Sequence, residues 1–203
     1  LFGKIIKINT DTKKYKIISM GHRNPQGIHY NKKDNRVIAT EHGPRGGDEI
    51  NIIKFSNTIP NYGWPISSYG NHYPGQINKY KDNGNLDILL KEAPLHKSHS
   101  KYSFEEPLKY FTPSIGISEI IMIDDVDEIT SLNDYYFVAS MGDKISEGDM
   151  SLHYFKIKNQ NQIYNYEKIA VGERIRDLLY DKKNKFIIMV LENSPALGFV
   201  SIN

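Results

Sequence analysis

Short apolar runs, repeated along the whole chain, constrain the fold more than any other feature of this sequence. Lys4–Ile8, Arg36–Thr40, Glu49–Ile53, Glu119–Ile123, Tyr135–Ala139, Ser151–Ile157, Phe186–Leu191 and Leu197–Ile202 are rich in Ile, Val, Tyr and Phe, and most are bounded by Gly, Asn, Asp or Pro. Branched and aromatic residues between turn formers are the signal of β-strands. No segment carries a long stripe of period 3.6, so no dominant helix is expected. The expected class is all-β with almost no helix, and many short strands imply a sandwich, a barrel or a propeller.

A faint internal repeat favours the propeller. Tyr30-Asn31-Lys32-Lys33-Asp34-Asn35 leads into one strand, and Tyr180-Asp181-Lys182-Lys183-Asn184-Lys185 leads into another. Leu132-Asn133-Asp134 before Tyr135–Ala139 is a weaker third copy. Strand, polar turn, strand is the middle of a propeller blade, and blades repeat at roughly 40–50 residues. Any two hairpins with lysine-rich turns share this look, so the repeat alone does not decide. Residues 70–106 interrupt the pattern with a polar stretch carrying Gly, Pro, Asn and His, read as a long loop insertion. No linker divides the chain.

The 203 residues suffice for one sizeable core. A net charge of +2, with lysines spread rather than blocked, gives no field that would draw nucleic acid or a membrane surface. Without cysteine there is neither a disulfide framework nor a thiolate metal site. No apolar run is long enough to span a bilayer, and no signal peptide is visible. The chain starts at Leu1 without an initiator methionine and enters a strand at once, so a segment upstream is expected.

Four segments could carry chemistry. Gly21-His22-Arg23-Asn24-Pro25-Gln26-Gly27 reads as a structured loop in which Arg23, Asn24 and Gln26 offer a guanidinium fork and two amides. Such donors suit a planar ligand with carboxylates and carbonyls, although a self-capping loop would use the same residues. Glu41-His42-Gly43-Pro44-Arg45-Gly46-Gly47-Asp48-Glu49 has the glycines and proline to turn carbonyl oxygens toward one point, the hard-ligand chemistry of Ca²⁺. Its spacing is not that of an EF-hand, and a glycine-rich turn with solvated acids reads equally well. Asn61-Tyr62-Gly63-Trp64-Pro65 holds the only Trp and reads as an aromatic-packed turn. In Glu173-Arg174-Ile175-Arg176-Asp177, a strand would place Arg174 and Arg176 on one face with Ile175 opposite. Two arginines side by side call for an anion between them, for solvent, or for Glu173 and Asp177 nearby.

Taken in order, the stretches 21–27 (GHRNPQG), 41–53 (EHGPRGGDEINII), 61–70 (NYGWP and SYG), 110–118 (YFTPSIGIS) and 173–178 (ERIRDL), with 2–9 (FGKIIKIN), resemble the soluble aldose sugar dehydrogenases of the glucose/sorbosone dehydrogenase family. The resemblance runs from one end of the chain to the other. It implies a six-bladed β-propeller, of which this chain would supply about four C-terminal blades. It implies pyrroloquinoline quinone (PQQ) and Ca²⁺ as cofactors, with Arg23, Asn24 and Gln26 reaching PQQ and Arg174 and Arg176 pairing with its carboxylates. Backbone carbonyls of Gly43 and Pro44 would hold the calcium. A second calcium would use Glu49 and Tyr62, with Asn71 standing where some relatives carry an Asp. The resemblance further implies an aldose substrate, an external electron acceptor, room for a homodimer, and a periplasmic or secreted location.

There are departures. Phe111 stands where a Trp commonly stacks on PQQ, offering a smaller π face. Lys144 follows the strand near Ser140, after which some relatives use a lysine, but its loop does not align cleanly. None of the seven histidines (His22, His29, His42, His72, His96, His99 and His153) sits in the context of the family's catalytic base, which is expected upstream of Leu1. His22 and His42 are read as supports of the cofactor-side loops. Two other readings stay open: a non-catalytic propeller module, and a calcium-dependent lactonase-like hydrolase.

Overall fold

The computed structural model describes residues 2–123, 134–142, 149–159 and 161–202. In chain order the elements are β1 (Lys4–Ile8), β2 (Tyr15–Met20), β3 (Pro25–Asn31), β4 (Arg36–Glu41), β5 (Asp48–Ile53), α1 (Pro74–Asp82), α2 (Leu86–Glu92), β6 (Lys109–Phe111), β7 (Ile117–Met122), β8 (Tyr136–Ser140), β9 (Ser151–Lys158), β10 (Gln162–Ala170), β11 (Ile175–Asp181), β12 (Phe186–Leu191) and β13 (Ala196–Ser201). The expected all-β class holds, with several antiparallel sheets. The expected strands all form, with ends shifted by up to two residues.

One expectation needs correction. The stretch from 70 to 106 is not a featureless loop but carries both helices and a single 3-10 turn, Ser100–Tyr102. Pro74 suits the first position of α1, where its missing N–H costs nothing. Leu86, Leu89 and Leu90 follow helical spacing in α2, with Leu89 buried. Nine and seven residues are too short to stand out as a periodic pattern.

The chain divides into two compact units. The first comprises residues 1–25 and 41–114, and the second residues 26–40 and 115–203. In the first unit β1 pairs with β2, and β5 pairs with β6. Its buried apolar residues include Ile5, Ile50, Ile53, Tyr62, Leu95 and Phe111.

In the second unit β7, β8, β9 and β10 form one four-stranded antiparallel sheet, and β11, β12 and β13 a three-stranded one. A core of Phe137, Ala139, Leu152, Ile175, Leu178, Ile187 and Met189 lies between these two sheets. Ile175 and Leu178 are both buried in it although they are three residues apart, which a regular strand forbids. The cause is a β-bulge. Ile175 pairs with Leu191 and Asp177 with Val190, leaving Arg176 as the extra residue.

The repeated hairpin turns share their geometry as well as their letters. Asn35 and Lys185, each the last turn residue before its strand, have positive φ values of 48° and 58°. In the first turn Asn31 Oδ1 accepts the Lys33 N–H at 2.9 Å. In the second Asp181 Oδ1 accepts the Asn184 N–H at 3.1 Å. In both, a side chain closes a turn that the backbone leaves open. Of the third copy, Leu132 and Asn133 lie outside the described residues.

Leu152 is wholly buried between the sheets. Leu152→Ala should therefore cost about 2–5 kcal/mol in urea unfolding, the range for an unrelaxed core cavity. Leu197→Ala, at a site 59 % exposed, should stay within about 0.5 kcal/mol of wild type.

Candidate functional site

Three of the four motif segments meet in the first unit. Gly21, Arg23, His42, Gly43, Glu49 and Trp64 line one open depression. The loop after β2, the loop between β4 and β5 and the aromatic turn 61–65 each contribute.

Glu41, itself part of the lining, is the centre of a buried polar network. Its Oε1 lies 2.9 Å from His22 Nδ1 and accepts an Asn51 Nδ2–H at 2.7 Å, while Oε2 accepts the Arg23 backbone N–H at 2.8 Å. A carboxylate only accepts, so Nδ1 of His22 carries a proton, and Nε2 lies in hydrogen-bond contact with Ser19 Oγ at 2.8 Å. The ring also stacks on Tyr62 at 4.7 Å. His22 is thus a support, as expected. Ser19, His22 and Glu41 have the connectivity of a hydrolytic triad, but Ser19 is wholly buried and His22 is 1 % exposed. No substrate carbonyl can reach that hydroxyl, and the arrangement is structural.

Asn51 connects this network to a second acid, Glu49, donating to its Oε2 at 3.2 Å. Burial, reinforced by the neighbouring Glu41, pushes the Glu49 carboxyl well above the usual carboxylate range despite that bond. His99 Nε2 lies 3.6 Å from Glu49 Oε1, and burial lowers the pKa of the ring. Both His99 nitrogens and Asn51 Oδ1 are buried without a hydrogen-bond partner. This corner is rich in acid and poor in cations.

Arg23 donates from Nη1 to His42 O at 3.1 Å, and its guanidinium lies 5.3 Å from the Trp64 ring centroid. The aromatic turn therefore does more than pack, because it holds the arginine by cation–π attraction. Gly43 donates its N–H to Asp48 Oδ1 at 3.1 Å, and Ser114 Oγ donates to the same oxygen at 2.9 Å. This fixes the turn 43–47. Gly47 has φ +73° and passes so close to Gly70 that a Cβ would sit 2.2 Å from the Gly70 nitrogen. Among the described residues no hydrogen bond reaches the carbonyl oxygens of Gly43 or Pro44. No group of three His, Cys, Asp or Glu side chains is placed to hold a metal among the described residues, so a cation here would draw on backbone oxygens.

Tyr62 turns its hydroxyl inward to donate to Ile52 O at 2.6 Å, and burial pushes its pKa up. Asn71 is tied backbone to backbone to Arg45 at 2.8 and 3.0 Å. The Lys97 ammonium donates to Ser68 O at 3.2 Å and also to Gly70 O, holding the turn that faces the glycine loop. Phe111 is buried in β6, with the Lys109 ammonium 4.9 Å from its ring centroid. Asn24, exposed in the first unit, accepts the His42 N–H at its carbonyl oxygen, 3.0 Å away.

Gln26 lies half-buried in β3, within the second unit, which also holds Arg174 and Arg176. Arg174 precedes β11 and Arg176 is its bulged residue, so simple strand alternation does not set their direction. They meet nonetheless, on an anion the sequence reading missed. Glu192 lies with Oε1 3.5 Å from Arg174 Nε and Oε2 2.5 Å from Arg176 Nη2. Arg174 Nη1 also donates to Met141 O. Lys144 lies outside the described residues.

Glu41 meets three donors, of which those of His22 and Asn51 are buried away from water. Glu41→Ala should strand them at about 1–3 kcal/mol per buried unpaired group and lower the urea midpoint markedly. Glu41→Gln, which keeps an acceptor oxygen, should cost less. Equal midpoints for Glu41→Ala and wild type would show that the network is not what holds these loops.

The family model described as Glucose / Sorbosone dehydrogenase matches residues 3–197. An aldose sugar dehydrogenase of Escherichia coli (strain K12) is 30 % identical over 185 residues, covering 91 % of this chain and 43 % of that protein. Quinoprotein glucose dehydrogenase B of Acinetobacter calcoaceticus is 35 % identical over 107 residues, covering 47 % of this chain and 20 % of that protein. The PQQ-bound form of aldose sugar dehydrogenase from Streptomyces coelicolor superposes with a TM-score of 0.59 at 19 % identity, over 96 % of this chain and 47 % of that one, a likeness of fold. The chain thus spans under half the length of each of these relatives. With nearly its whole length inside the family model, the chain belongs to the glucose/sorbosone dehydrogenase family, a family of β-propellers.

Proposed function

We propose that the protein carrying this chain oxidises aldose sugars at the anomeric carbon to lactones, using PQQ and Ca²⁺. One observation carries the reading: three motifs separate in sequence converge on one depression, where Arg23 is held over Trp64 and Gly43 shares the lining with the buried acids Glu41 and Glu49. The quinoprotein and PQQ-bound names of relatives support the cofactor.

The donor set fits both groups. Carbonyl oxygens of Gly43 and Pro44 would hold the calcium, since hard oxygens without other partners suit a hard cation. The orphaned polar atoms around Glu49 suit a second cation there. Arg23 and Asn24 of the first unit offer a guanidinium fork and an amide, with Phe111 as its aromatic residue, and Gln26, Arg174 and Arg176 of the second offer an amide and two further forks, all donors of the kind a flat tricarboxylate takes. Bound PQQ, polarised by Ca²⁺, would supply the acceptor for a hydride and pass its electrons to an external acceptor. Aldose oxidation removes that hydride from carbon and a proton from the anomeric hydroxyl. Arg23 is the residue of this chain best placed to orient the sugar, because His42 O and Trp64 fix its guanidinium at the rim.

The proton acceptor is not assigned to this chain. His22, His99 and His153 are at most 2 % exposed, and no histidine here matches the sequence context of the family's base. We infer that residues 1–203 form C-terminal blades of a propeller, and that alone they do not turn over sugar. A positioned base is worth about 10²–10⁴-fold in rate. A periplasmic or secreted location belongs to the same proposal.

The test is PQQ binding by equilibrium dialysis with Ca²⁺ in the whole protein. Arg174→Ala and Arg176→Ala should each weaken binding by roughly 1–3 kcal/mol, the range for charge-assisted contacts. Chelating calcium should abolish dye reduction with an aldose. Unchanged PQQ affinity in both arginine variants, or full turnover after verified calcium removal, would sink the reading.

A further inference from the structure

In the second unit, two guanidinium groups converge on one carboxylate. Glu192 follows β12 directly, and its backbone N–H donates to Arg174 O at 2.9 Å, fixing it opposite the arginine segment. Its two oxygens are divided between the arginines, Oε1 toward Arg174 Nε and Oε2 to Arg176 Nη2. The side chains are 33 % (Arg174), 51 % (Arg176) and 38 % (Glu192) exposed, so water reaches all three. An ion pair this open is weak and exchangeable. Arg174 has a second anchor in Met141 O, so it stays aimed when the carboxylate leaves.

We propose that Glu192 is a built-in stand-in for a ligand carboxylate and sets the affinity and charge selectivity of the arginine pair. The inference rests on the proposed cofactor reading and deepens it. In the free protein Glu192 keeps two like charges together that would otherwise repel. A ligand carrying a carboxylate takes its place between them and the Glu192 side chain swings into solvent. Binding is thus an exchange of one anion for another, and part of the attraction to the ligand is offset by the lost internal pair. A neutral flat quinone displaces nothing and gains nothing from the arginines.

The test compares PQQ with 9,10-phenanthrenequinone, an ortho-quinone without carboxylates, by equilibrium dialysis in the whole protein. Glu192→Gln should tighten PQQ by about two- to fivefold, the scale of a half-exposed ion pair, and leave phenanthrenequinone unchanged. Glu192→Asp, which keeps the charge with a shorter reach, should fall between. If Glu192→Gln leaves PQQ unchanged or weaker while Arg176→Ala weakens it, Glu192 is a structural brace and the inference fails with the cofactor reading intact. A parallel shift for both quinones overturns it too, since that reports altered shape rather than charge. If neither arginine variant affects PQQ, the cofactor reading falls and this inference with it.

Discussion

The arrangement of the first unit depends on the Glu41 carboxylate. It stands at the end of β4 and is acceptor to the loop on one side and the neighbouring strand on the other. A buried carboxylate is tolerable only when its lone pairs are met. Here they are met by an imidazole, a backbone N–H and an amide, and each partner belongs to a segment that lines the depression or stands behind it. The Arg23 N–H bond fixes where the guanidinium begins. The His22 ring, held at both nitrogens, fixes the aromatic turn by stacking on Tyr62.

Neighbouring Glu49 has the opposite character. It shares Asn51 with Glu41 but finds no cation of its own, and nearby imidazole nitrogens are left unmatched. The protein therefore keeps one acid satisfied and one in want of positive charge.

Much of this was legible in the letters. Short apolar runs gave the strands, because β-branched residues between turn formers leave few alternatives. The paired turns at 30–35 and 180–185 carried their geometry in the Asn or Asp that closes them. His22 could be read as a support because it belongs to a cofactor-side loop and lies outside the context of the family's base. Asn51 left a signal that went unused: an amide within the apolar strand Glu49–Ile53 needs buried partners. Glu192, immediately after an apolar strand, looked like an ordinary solvated end, since only register shows that it faces Arg174. His99 and Lys97 sit in the segment with the least pattern, and only the fold brings them to the site. The helices there were missed because two short turns of helix produce no period long enough to see.

Arg176 occupies the bulge in β11, and that has an evolutionary corollary. The extra residue shifts the phase of the strand so that Ile175 and Leu178 both face the core. Remove it and the alternation of a regular strand sends one of the two outward. Place 176 is therefore kept by the apolar interior, whichever side chain stands there. Drift could exchange the arginine for another residue and lose only its charge, but a one-residue deletion would cost the packing of two sheets. Segment length is thus the stricter physical requirement at this place, and residue identity the looser one.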